Sequence, residues 1–196
     1  MSQPGKVHIP YGRHWIEEDD IQAVVEVLRG DWLTTGPKVG EFEQAFAKFT
    51  GAKEAVAISN GTAALHASMN ALGIGPGDEV IVPTMTFAAS ANCVVYQGGT
   101  PVFADVLEST LLIDPVSVES KITPQTKAIV AVDYAGQPCD YDRLRALATK
   151  HKLALVSDAC HSVGGAYQTQ KVGTLGDLSC FSLGKERESA RFGTFI

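Results

Sequence analysis

The chain has 196 residues, 45% hydrophobic and 19% charged, and 16 Lys+Arg against 22 Asp+Glu leave a formal charge of −6. This composition is that of a globular protein with room for one good-sized domain, which excludes disordered, collagen-like and repeat architectures. The acidic balance and the lack of a Lys/Arg cluster exclude a general nucleic-acid binder, because phosphate affinity rests on several neutralising cations. Cys93, Cys139, Cys160 and Cys180 form no C-x-x-C pair, so neither a metal site nor a disulfide framework is expected. The N-terminus has no apolar leader and no run is long enough to span a bilayer, so the expectation is a reduced, cytoplasmic protein without membrane contact.

From Ile16 the apolar positions Ile21, Val24, Val25 and Leu28 recur at helical spacing behind an acidic start, Glu17 to Asp20, and Gly30 ends this helix. Gly36-Pro37 then opens a second helical pattern in Val39, Phe42, Phe46 and Phe49, closed by Gly51. Beyond it, short apolar runs alternate with helical stretches. Strands are expected at 55–58, 80–82, 101–104, 128–132, 153–157 and 178–181, and helices at 62–72, 87–96 and 141–151. Residues 115–121 and 123–126 read as a surface connection with one short helix. Apolar runs without strict alternation belong to a parallel sheet covered on both faces, so the fold class is α/β.

Three strand ends carry candidate chemistry. Ser59-Asn60-Gly61-Thr62-Ala63-Ala64-Leu65 lies at a strand-to-helix turn, where free N–H groups and the helix dipole attract anions and Gly61 lets the backbone approach closely. The alternative is a plain helix cap. No Walker A loop and no G-x-G-x-x-G fingerprint occurs. Asp158, with His161 three residues on, sits where open α/β sheets bind ligands, and could hold a cationic ring nitrogen, bind a metal or form an acid–base pair; otherwise it caps its own turn. Phe87 could pack on a flat ligand, although core is the default, and Ser182 could meet a phosphate or cap a turn.

Taken together, Thr35-Gly36-Pro37, the run 59–65, Gly75-Pro76-Gly77-Asp78-Glu79-Val80, the run 84–88, Asp158 to His161 and Gly176-Asp177-Leu178-Ser179-Cys180-Phe181-Ser182 resemble the DegT/DnrJ/EryC1/StrS family. Its members are pyridoxal-phosphate (PLP) aminotransferases of fold type I acting on keto sugars, usually nucleotide-linked. Ile9-Pro10-Tyr11-Gly12-Arg13, the run 31–37 and the run 133–140 look most similar to enzymes that aminate C4 of a UDP-4-keto-6-deoxy-N-acetylhexosamine on the pseudaminic acid route. The resemblance implies that Gly61, Thr62 and Ala63 form the PLP phosphate cradle with Ser182, that Phe87 stacks on the ring, that Asp158 pairs with the ring nitrogen and that His161 lies near the phenolic oxygen. It also implies a glutamate amino donor, a nucleotide-linked keto-sugar acceptor and, for the full-length family member, a homodimer.

Family members carry a Schiff-base lysine five residues after the serine matching Ser182. That position is Arg187 here, in Ser182-Leu183-Gly184-Lys185-Glu186-Arg187, and an arginine stays protonated and cannot take the role. Lys185 is the nearby candidate. The pattern departs from the family after Leu183, so the expectation is a truncated chain: an N-terminal arm and helix over 1–36, an incomplete large domain over 37–183, a divergent tail over 184–196, and no small domain. Two further readings are a non-catalytic family remnant with weak PLP or phosphate affinity and an α/β ligand-binding or interaction domain. A lysine-to-histidine dehydratase gains nothing, since no histidine follows His161.

Overall fold

The computed structural model describes residues 16–183. Helix α1 (Glu18–Arg29) places Glu18, Asp19 and Asp20 at its positive end, where the Asp20 carboxylate accepts from the Glu17 N–H at 2.9 Å. Its apolar stripe is the one expected, but none of its residues is buried, and Leu28 is 65% exposed. Helix α2 (Pro37–Thr50) starts on a proline whose fixed φ suits the first turn and stops at Gly51, whose φ of +84° ends the helix in the left-handed region. It docks through buried Phe46, which meets Phe181 edge-on at 5.0 Å.

The five-stranded sheet consists of β1 (Glu79–Pro83), β2 (Thr100–Ala104), β3 (Thr126–Val132), β4 (Ala154–Asp158) and β7 (Leu178–Cys180), in the order β2-β1-β3-β4-β7. Every pairing in it is parallel. Side-chain alternation divides the core in two. Val80, Val82, Val130 and Val156 pack under α3 (Gly61–Ala71) and α4 (Ala89–Tyr96) through Leu65, Met69 and Val94. Ile81, Ile129 and Leu155 face α5 (Pro115–Lys121) and α6 (Tyr141–His151) through Val118 and Leu144. Both faces are covered, which is why these strands read as continuous apolar runs.

Two elements differ from expectation. Residues 55–58 form no strand, and Val56 is 76% exposed. An apolar run becomes a strand only where a neighbour takes its backbone hydrogen bonds; here the Ala57 N–H goes to the Glu43 carboxylate at 2.8 Å, and β7 pairs with β4 alone among the described strands. Between β4 and β7 the chain also forms a small antiparallel hairpin, β5 (Ala166–Tyr167) and β6 (Gln170–Lys171). Among the described residues no helix is long and apolar enough to cross a membrane.

Candidate active site

From β1 the chain runs outward to β2 and then returns past β1 to β3. The carboxyl ends of a parallel sheet at such a reversal form a crevice suited to ligands. The expected residues gather at this edge: Phe87 follows β1, Asp158 ends β4, Ser182 follows β7, and Gly61 opens α3.

The α3 turn starts with Asn60 in extended conformation, its side-chain oxygen accepting from the Ala63 N–H at 2.8 Å. The capping reading of this turn therefore holds. It leaves the N–H groups of Gly61 and Thr62 without an acceptor among the described residues, at the positive end of an eleven-residue helix. A Cβ on Gly61 would lie 3.0 Å from both Cys160 Sγ and Ser182 Cβ. Start of α3, loop after β4 and residue after β7 thus converge on one point. Gly61→Ala is expected to destabilise the fold by about 1–2 kcal/mol through overpacking, measured as a lowered urea midpoint.

Phe87 lies in the turn before α4 and is 75% exposed. This overturns its default assignment to the core, and α4 starts two residues later than the expected helix at 87. Asp158 is 5% exposed. Its Oδ2 accepts from Ser90 Oγ at 2.7 Å and its Oδ1 from the Cys160 N–H at 3.4 Å. His161 is exposed, and no hydrogen bond joins it to Asp158, so the two are not an acid–base pair in this geometry. No group of described His, Cys, Asp or Glu side chains is arranged to hold a metal ion. Lys185 and Arg187 lie outside the described residues.

Beneath the crevice sits a group that sequence reasoning missed. Asp133, directly after β3 and 1% exposed, accepts from the Cys139 N–H at 3.1 Å, Tyr141 Oη at 2.9 Å and Ser162 Oγ at 2.8 Å. Its own N–H donates to the Asp158 carbonyl at 3.1 Å. The only signal in the sequence was an acid ending an apolar run; its partners lie up to 29 positions away. Burial raises its carboxyl above the usual range of 3.8, against the opposing hydrogen bonds. A carboxyl raised in the folded state binds its proton more tightly folded than unfolded, so this contribution to stability is complete below pH 3.8 and is lost as pH rises through the raised value. Asp133→Asn is therefore expected to cost more stability at acidic than at neutral pH, read from urea melts at both. Burial likewise pushes the Cys93 thiol up to about 12 and Cys180 to about 11, which keeps them unreactive.

Residues 14–187 match the DegT/DnrJ/EryC1/StrS aminotransferase family. The chain belongs to this family. It is 47% identical over 182 residues to the spore coat polysaccharide biosynthesis protein SpsC of Bacillus subtilis, covering 93% of this chain and 47% of SpsC. The PLP-form of the sugar aminotransferase Spr1654 from Streptococcus pneumoniae superposes with a TM-score of 0.88 at 36% identity, covering 92% of this chain and 50% of that one. PseC of Helicobacter pylori, an aminotransferase involved in the biosynthesis of pseudoaminic acid, gives 0.85 at 34% identity, over 91% of this chain and 48% of its own. The chain thus spans about half the length of these relatives. As a member of the DegT/DnrJ/EryC1/StrS family it has the partial fold type I domain that its strand order describes, and the family's cofactor is pyridoxal phosphate. The donor set fits that group: a helix start with free N–H groups and a glycine where a Cβ would intrude, an exposed aromatic face, and a buried carboxylate.

Proposed function

We propose that this chain supplies the cofactor-binding part of an aminotransferase that moves an amino group from glutamate to the C4 keto group of a nucleotide-linked sugar, in a homodimer. The observation that carries the reading is the meeting, at one end of the sheet, of the α3 start with Ser182 and Cys160, of Cys160 with the buried Asp158, and of Asp158 through Ser90 with the turn of the exposed Phe87. When bound, pyridoxal phosphate supplies an electron sink through which an amino group passes between donor and acceptor carbons.

Each residue has a separate task. The N–H groups of Gly61 and Thr62, with the Thr62 hydroxyl and Ala63 beside them, bind the phosphate, and Ser182 adds a second hydroxyl. Phe87 covers one face of the ring and limits water there. Asp158 holds a proton on the ring nitrogen, where a carboxylate stabilises the cationic form. His161 lies toward the phenolic oxygen. The sugar reading draws support from SpsC, a polysaccharide biosynthesis protein, and from PseC; a UDP-4-keto-6-deoxy-N-acetylhexosamine is the acceptor that the motifs at 9–13, 31–37 and 133–140 favour.

The full-length gene product, incubated with pyridoxal phosphate, glutamate and that acceptor, is expected to yield a 4-amino sugar and 2-oxoglutarate by mass spectrometry. Failure with every UDP- and dTDP-linked 4-keto sugar, from protein that retains its cofactor, would refute the assignment.

A further inference from the structure

Ser90, on the first turn of α4, is wholly buried. Its Oγ donates to Asp158 Oδ2 at 2.7 Å and lies 2.7 Å from Thr86 Oγ1. A hydroxyl has one proton; since Ser90 gives its own to the carboxylate, Thr86 is the donor in the second contact. The result is a directed relay, Thr86 to Ser90 to Asp158. The Ser90 N–H also donates to the Phe87 carbonyl at 3.1 Å. One residue thereby ties the turn carrying the aromatic face to the carboxylate at the end of β4.

We propose that Ser90 is a positioning residue of the cofactor site: its hydroxyl fixes the plane of the Asp158 carboxylate, so that this group meets a heteroaromatic N–H at a set angle to the Phe87 turn. The inference rests on the functional reading above. The physical need follows from the side chain itself. The χ2 torsion of aspartate is a broad, weakly restrained rotor, so its orientation depends on what its oxygens touch. Among the described residues Oδ1 has only the 3.4 Å contact to Cys160 N–H, whereas Oδ2 has the short bond from Ser90. Without Ser90 the carboxylate stays buried but is oriented by the long Cys160 contact alone, and its aim at the ring nitrogen is lost while the phosphate cradle at Gly61 is untouched.

The test compares two probes bound by the 196-residue chain: pyridoxamine phosphate, which carries no aldehyde to react with surface lysines, and its 1-deaza analogue, in which carbon replaces the ring nitrogen. Ser90→Ala is expected to weaken pyridoxamine phosphate about tenfold, the scale of a hydrogen bond to a charged group, and to change affinity for the analogue less than about twofold. Ser90→Cys, which keeps the packing and a weaker donor, falls between and carries the test if the alanine variant does not fold. Equal weakening of both probes identifies a merely structural role and overturns the proposal, as does an unchanged ratio. An unsubstituted chain that binds the two probes equally, or binds neither, overturns instead the reading of Asp158 or of the site, and the proposal with it.

Discussion

Asp158→Asn is expected to lower the affinity of the chain for pyridoxamine phosphate by roughly 10- to 100-fold, the range spanned by charge-assisted hydrogen bonds. The replacement has nearly the same shape and can still accept from Ser90, so the folded state is retained and the loss falls on the ligand. A neutral amide offers a ring N–H no charge to meet. Inorganic phosphate, which on the proposed reading meets the α3 start and Ser182 but not Asp158, should compete equally well against both proteins. Isothermal titration checks both quantities, and an unchanged affinity would remove Asp158 from the site.

The largest effect on stability is expected at Asp133. Asp133→Ala withdraws the acceptor from the Cys139 N–H, the Tyr141 hydroxyl and the Ser162 hydroxyl. Tyr141 keeps Ser157 at 2.6 Å and Ser162 keeps the Ala159 carbonyl at 3.4 Å, but the Cys139 N–H is left buried with no partner. A cost of about 3 kcal/mol follows from unmet buried donors. Asp133→Asn, which still offers an oxygen to two of the three donors, should lose only about 1 kcal/mol at neutral pH. Urea denaturation followed by circular dichroism separates the two. The bond from the residue 133 N–H to the Asp158 carbonyl is made by the backbone and survives in the alanine variant, so any loss of apparent pyridoxamine phosphate affinity should come from the smaller folded fraction and be restored by added ligand.

Much of this architecture was legible in the chain. Apolar runs without alternation, such as that ending at Val132, announced strands buried on both faces, and 141–151 read as a helix with the bounds it has, because Asp140 caps it and its apolar positions keep one face. The strand ends with chemistry were legible for the same reason: the polar residue that follows an apolar run must surface at the sheet edge. Residues 55–58 have strand composition, yet pairing decides a strand and composition cannot supply a neighbour. The stripe on α1 predicted a helix correctly, while burial depends on what lies opposite. The β5–β6 hairpin carries no Asn-Gly signal; its turn uses Gln168 at φ +54°, a left-handed residue that sequence seldom advertises. Ser90 and Asp133 were invisible as site residues because their meaning lies in partners 68 and up to 29 positions away.

The meeting of Gly61 with Cys160 and Ser182 has a kinetic consequence. Gly61 precedes Cys160 by 99 positions and Ser182 by 121, so the cradle is a contact of high sequence separation whose loop-closure entropy must be met before it forms. Ser182 reaches its place only once β7 has paired with β4, and β4 in turn with β3. The proposed phosphate site is therefore expected to appear last in refolding, after the helical signal is complete, which would make anion affinity a late-arriving report on whether the sheet has been assembled through to β7.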